Sequence, residues 1–594
     1  MKLFLKIVAG CFIAIIISWI LVFFLGAGII GSLSSKDKKI IANNSVLVLD
    51  LAKSIGEQNS GGDFDLMSGK INAKIGLREL VKSLNDAKND DRVSGIYLKC
   101  SGNGWGTASL NEFIEALEDF KTSGKFIYAY SDNISEGAYY AVSIADSIFA
   151  RPYGSFEFNG LSSSIMFYKG LLDKLDIQPE IFYAGQFKSA TEPSRATKMR
   201  DANKLQMTAL LNDLYNTIIG TISRHRNIDT ATLKQLAGNN TVQTTEDALK
   251  AKLIHVLAYH DEVKTVIGNR VGEKNINDIS FTGFADYIED KAPIIPATSG
   301  NIAVVHFDGE IIDGLSDDGY IGGEKFAKII RDIRLDTSVK ALVMRVNSPG
   351  GSANACENMW RELDLLKKEK PIVVSMGNYA ASGGYYISTV ADTIFAQPNT
   401  ITGSIGVYMM YLNTHKLMNN KLGLTFDGVK TGTYADFPNA SRDLTPVEKG
   451  FIQSSVDSIY KLFKTRVANG RKINYDDVEA VAQGRVWTGN MAKEIKLVDK
   501  IGGLKDAIEC ARNMAKINEA RIYALPSGKS ALEKLLSFED SDDENIKSKV
   551  YISKEEMIAK ELGTDFYNIY KQIVSLKTTA NKAQAMMPMN ITIY

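Results

Sequence analysis

The chain repeats itself, and the repeat limits its architecture more than any other feature. ADSIFARP at 145–152 returns as ADTIFAQP at 391–398, a displacement of 246 positions. At that displacement Tyr139 and Tyr140 fall on Tyr385 and Tyr386, Asp90 on Asp336, and Val93 on Val339. GIYLKCS, from Gly95, falls on ALVMRVN, from Ala341, and no gap is needed between 90 and 152. Self-similarity at a fixed spacing means one structural unit built twice. Two copies are expected over 45–285 and 301–540. A linker at 286–300 would join them, since APIIPATSG has the Pro, Ser and Gly content of a connecting segment.

Within each copy, apolar runs rich in Val and Ile alternate with stretches of helical spacing. Strands are predicted at 45–51, 95–99 and 125–130, and again at 302–307, 341–346 and 371–376. Helices are predicted at 77–87 and 323–333. Alternation of this kind implies an α/β fold, a mostly parallel sheet with helices packed outside.

The first 42 residues are read as a membrane anchor. Residues 7–33 carry no charge, with Lys2 and Lys6 before them and Lys36, Lys38 and Lys39 after. That run exceeds the roughly 20 residues that span a bilayer as a helix. It also exceeds the apolar core of a cleaved signal peptide, the alternative, which runs to about 7–15 residues. Lysines on both flanks leave the orientation open. No second run of that length follows, so everything beyond should lie in water on one side of the membrane. The tail, 541–594, joins a charge-rich stretch to a plausible amphipathic helix at 554–576; whether it docks, oligomerises or is loose stays open.

Composition excludes several functions. Sixty-nine basic residues balance sixty-nine acidic ones, and without a Lys/Arg-rich run no nucleic-acid partner is expected. Cys11, Cys100, Cys356 and Cys510 are far apart, so no CxxC or zinc knuckle exists, and no HExxH is present. No metal or cofactor is expected. Gly528-Lys529-Ser530 has the ending of a P-loop, but Tyr523 stands where its first glycine belongs.

Two segments of the second copy have the form of a catalytic site. Asn347-Ser348-Pro349-Gly350-Gly351 follows a buried strand, and paired glycines let backbone N–H groups approach a ligand. Ala380-Ala381-Ser382-Gly383-Gly384 puts a serine at a strand-to-helix junction, where free helix N–H groups can stabilise an oxyanion. Taken alone, such a serine reads as a plain helix cap; two glycine turns at matching strand ends argue otherwise. A serine nucleophile needs a base. The five histidines, His225, His255, His260, His306 and His415, lie outside the repeated motifs, and His306, inside an apolar strand, reads as a satisfied core residue.

The repeat points to a lysine instead. Ser382 falls on Glu136, and Gly350 and Gly351 fall on Gly104 and Trp105. Downstream, KLDIQPEIFYAGQFKSA from Lys174 matches KLGLTFDGVKTGTYADF from Lys421 at a displacement of 247, which pairs Lys188 with Ala435. One copy kept a lysine, the other a serine. A single lysine is ordinarily a solvated one; complementary loss is what a shared site would produce. A lysine base must be deprotonated and therefore buried.

NSPGG, YAASGGYYIS, TGSIG at 402–406 and GQFKSATEP around Lys188 together resemble the signal peptide peptidase A family, in its long, duplicated form. The resemblance covers nearly the whole chain. It implies tandem domains related to the Clp protease and crotonase spiral, with a Ser/Lys dyad assembled between them. It implies Ser382 as nucleophile, Lys188 as general base, Gly351 and Gly383 as oxyanion donors, and Ser404 as the residue that orients the lysine. It further implies a homo-oligomer, expected to be a tetramer, held in a bacterial-type inner membrane with its water-soluble part on the extracytoplasmic side. Signal-peptide remnants or other apolar membrane-derived peptides would be its substrates. The alternatives are a crotonase-like acyl transfer enzyme, which uses the same glycine device without a dyad, and an inert peptide-binding scaffold.

Overall fold

The computed structural model describes residues 41–59, 63–65, 70–72, 74–291, 300–316, 319–526 and 584–586. The expected anchor, nearly all of the linker and most of the tail lie outside them. Among the described residues no helix is long and apolar enough to cross a membrane.

Each copy is built on a parallel sheet, and the two sheets have the same strand order. In the first copy the order is Val256–Leu257, Ser147–Ala150, Phe126–Ser131, Val93–Lys99, Ser45–Asp50 and Phe281–Gly283. In the second it is Lys500–Ile501, Thr393–Ala396, Ile372–Ala381, Ala341–Ser348, Ile302–Asp308 and Ile522–Leu525. The central strands are continuous apolar runs because both faces are covered; every residue from Ile302 to Phe307 is buried. Helices cover them through stripes at three- and four-residue spacing: Leu77, Leu80, Leu84 and Ala87 in Leu77–Lys88, and Phe326, Ala327, Ile330 and Ile333 in Gly323–Leu335.

The duplication extends to individual hydrogen bonds. Tyr139 donates to the Leu253 carbonyl and Tyr385 to that of Leu497, each at 2.9 Å. Lys125 caps the carbonyls of Ala87 and Asp90, and Lys370 those of Ile333 and Asp336. Buried polar groups must be paired, so these solutions persist where surface residues have diverged.

The copies differ where chemistry is expected. Phe126–Ser131 has six residues, whereas its counterpart Ile372–Ala381 has ten. The extra length pairs with Ile401–Gly403, which pairs antiparallel with Val486–Thr488. A third sheet knits the halves together. Its order is Tyr320–Gly322, Glu310–Ile312, Gly350–Ser352, Gln584–Met586, Val407–Asn413 and Gln178–Ala184, the last strand coming from the first copy. A buried cluster adds to this: Arg345 of the second copy meets Glu57 at 2.7 Å and Glu112 at 2.6 Å, both from the first. The first unit ends later than the expected 285, because the helix Phe284–Lys291 packs Phe284 and Tyr287 into its core. His306 is buried but not satisfied: neither ring nitrogen has a partner, and burial pushes its pKa well down.

Candidate active site

The site forms where the lengthened strand of the second copy ends. Ser382 follows Ile372–Ala381 and heads the helix Gly383–Ser388 at φ +53°, ψ −110°. This left-handed φ is uncommon for a residue with a Cβ and costs roughly 1–3 kcal/mol, a strain that concentrates at functional positions. The turn is pinned from both sides: Ser382 N donates to the Gly403 carbonyl and Tyr386 N to that of Ser382, each at 2.8 Å. Its hydroxyl makes no capping bond to the helix and is free for another use.

Lys188 supplies that use. Its Nζ lies 2.8 Å from Ser382 Oγ, 3.0 Å from Ser404 Oγ and 3.1 Å from the Ser404 carbonyl oxygen. Lys188 is 1% exposed, and Ser382 and Ser404 are fully buried. Burial holds the lysine pKa well below its ordinary value, so the amine is biased towards its neutral form. A neutral amine has two N–H groups and one lone pair. Ser404 offers two acceptors, which leaves the lone pair for the Ser382 hydroxyl proton.

The first copy delivers this lysine by threading its chain between two turns of the second. After Gln178–Ala184 the backbone passes Gly185, at φ +107°, where a Cβ would meet Gln483 backbone at 2.4 Å. Phe187 N donates to the Gln483 carbonyl at 2.9 Å. Gly484, at φ +74°, then lies so close that a Cβ there would sit 2.6 Å from Lys188 Cβ. On the other side, Ser404 N donates to the Arg485 carbonyl at 2.7 Å. Buried Gln206, from the first-copy helix Asp201–Arg226, ties the two parts together. It donates to the Phe187 carbonyl at 3.1 Å and to Ser189 Oγ at 3.0 Å, and accepts from Val486 N at 3.3 Å. Gly185, Gln206 and Gly484 carry no motif and match nothing by repeat, so sequence reasoning missed them; only their long-range contacts reveal a role.

Gly350 and Gly351 lie on the strand beside this turn. A Cβ on Gly351 would overlap the Ile311 carbonyl oxygen at 2.0 Å, so only glycine fits. Gly383 is the first helical residue after Ser382. In the first copy the corresponding place is filled. Trp105 is buried against Phe113, and the Glu136 carboxylate accepts from the N–H groups of Asn159 and Gly160. Ala435, the counterpart of Lys188, lies in an exposed loop. No histidine bonds to Ser382 among the described residues; His225, for example, is engaged by Ser143 and Glu118. No group of residues suited to a metal ion is found among them either.

A strained serine at the head of a helix, beside a buried amine and a glycine strand, is the site of a serine hydrolase. The family model "Peptidase family S49" matches the chain twice, at 119–273 and 364–518. Protease 4 of Salmonella typhi is 37% identical over 75% of this chain and 72% of its own length. Protease 4 of Haemophilus influenzae is 35% identical, over 76% of this chain and 75% of its own. The chloroplastic serine protease SPPA of Arabidopsis thaliana is 31% identical, covering 80% and 70%. A solved structure of a ClpP1 mutant from Listeria monocytogenes aligns with 34% of this chain and 93% of its own at 15% identity and TM-score 0.24. The chain belongs to peptidase family S49, in the long form that carries the domain twice, and is a serine peptidase.

Proposed function

We propose that the chain is a membrane-anchored endopeptidase that uses a Ser382/Lys188 dyad to degrade signal-peptide remnants or other apolar membrane-derived peptides. The 2.8 Å approach of Lys188 Nζ to Ser382 Oγ inside a dry site carries this reading. Neutral Lys188 takes the Ser382 proton as Oγ attacks a peptide carbonyl. The N–H groups of Gly351 and Gly383 hold the oxyanion. Lys188 then gives the proton to the departing amine, leaving an acyl-enzyme. Water, deprotonated by the same amine, releases the second product and restores the serine. Ser404 keeps the lone pair aimed at Oγ throughout.

The anchor at 1–42 would hold the enzyme on an inner membrane with the catalytic part on the extracytoplasmic side, where an apolar, uncharged site suits peptides left in or near the bilayer. A homo-oligomer, proposed to be a tetramer, has support in the repeat itself. Gln178–Ala184 of the first copy pairs with Val407–Asn413 of the second. Their counterparts, 425–431 and 161–167, form no strand, and Leu422, Leu424, Phe426 and Val429 stand exposed. Pairing 425–431 of one chain with 161–167 of the next would repeat the internal contact head to tail and close a ring.

The test follows cleavage of an apolar fluorogenic peptide by wild type, Lys188→Ala and Ser382→Ala, with fluorophosphonate labelling of the serine. Both variants should stay folded and lose nearly all turnover. Full activity in Lys188→Ala would exclude the dyad.

A further inference from the structure

The strand next to the catalytic glycines comes from the far end of the chain. Gln584–Met586 runs antiparallel to Gly350–Ser352, with Gly351 opposite Ala585, and on its other side Gln584 pairs antiparallel with Tyr408. It also packs against the helix Gly383–Ser388, which Ser382 heads. Without this segment, Gly350–Ser352 would be paired only to Glu310–Ile312 and Val407–Asn413 only to Gln178–Ala184. Two facing strand edges would then border a slot one strand wide. Open edges of this kind accept any extended peptide through main-chain hydrogen bonds. A peptide in that slot presents its backbone to Gly351 and to the head of the Ser382 helix, the geometry that cleavage requires.

Resting on the peptidase reading above, we propose that Gln584–Met586 is a resident strand that occupies the substrate slot and competes with substrate. Its surroundings in sequence suit an apolar site: after Lys582 the next twelve residues, beginning Ala583-Gln584-Ala585-Met586, carry no charge. Gln584 is buried, so the segment is seated in the slot. The ligand class follows: extended, uncharged peptides with small residues near the bond to be cut. Tethering makes even weak binding effective. A segment held at an effective concentration of about 1 mM against a Kd of about 0.1 mM raises the apparent KM about tenfold.

The test uses the full chain and a Gln584→Pro/Ala585→Pro variant, whose prolines remove one ladder donor on each side of the strand. The variant should show an apparent KM about tenfold lower, unchanged kcat and faster fluorophosphonate labelling. The hexapeptide KAQAMM, added in trans, should inhibit it competitively. Equal KM and labelling rate in both proteins would overturn the proposal, as would a KM difference that vanishes on dilution, which would assign the strand to a second copy. Binding of fluorescent KAQAMM to the proline variant carrying Ser382→Ala needs no catalysis. Binding there, with an unmodified-serine chain that neither cleaves nor labels, would sink the peptidase reading and leave the slot assignment standing.

Discussion

Gly484 offers a sharp test of whether the fold, rather than the mere presence of a serine and a lysine, makes the site. In Gly484→Ala the new methyl would stand 2.6 Å from Lys188 Cβ, 2.7 Å from its N and 2.8 Å from its Cα. Ordinary contact begins near 3.4 Å, so one side must yield by about 0.8 Å in a close-packed interior. Gly484 N is held by the Ile405 carbonyl at 2.7 Å and Lys188 N by that of Gly185 at 3.1 Å. The cheaper response is to push the lysine stem outward. A 2.8 Å bond from Nζ to Oγ lengthened by that amount reaches about 3.6 Å, which is no longer a hydrogen bond. Misplacing a catalytic group by about 1 Å costs on the order of 10²-fold in rate. The left-handed φ adds roughly 1–2 kcal/mol of destabilisation for alanine. Fluorogenic peptide cleavage should therefore fall about a hundredfold in a protein that still unfolds cooperatively. Gly432→Ala, where a Cβ meets nothing within 4 Å, serves as control. Turnover in Gly484→Ala within about threefold of wild type would refute the reasoning, because the lysine would then tolerate displacement.

Gln206→Leu keeps the volume but removes three hydrogen bonds around the lysine loop; kcat should drop about tenfold with a shifted pH–rate profile while KM holds, and an unchanged profile would make Gln206 merely structural. Lys188 also leaves a signature in stability. Its folded pKa is depressed, so the unfolded chain binds more protons between that value and about 10.4, and stability rises with pH across that window. Urea unfolding should show wild type gaining on Lys188→Met between pH 8 and 9.5 by up to about 1.4 kcal/mol per pH unit; a constant difference would mean the lysine is not buried neutral. Arg345→Leu strands the buried carboxylates of Glu57 and Glu112, and should cost about 3–5 kcal/mol in denaturant unfolding. Loss below about 1 kcal/mol would show that this cluster does not hold the halves together.

Much of this protein is written locally. Two copies of an α/β unit follow from the repeat because buried strands and their turn residues are constrained position by position; Tyr139 with Tyr385 and Lys125 with Lys370 make the same bonds in both. The serine was legible because a strand-to-glycine-to-helix junction is a local pattern. Lys188 was legible only as an asymmetry between copies, a difference that carries no distance. The tertiary structure decided the rest. The 2.8 Å approach, the Ser404 acceptors, the Gln206 tether and the close fit of Gly185 and Gly484 join residues up to nearly 300 positions apart. His306 shows the same limit from the other side: an apolar strand foretold its burial, but whether its nitrogens find partners depends on neighbours such as Arg345 that strand pairing brings alongside. Local periodicity reports what a segment buries. Which segments then meet is set by packing the two copies against each other, and no single stretch of sequence contains that information.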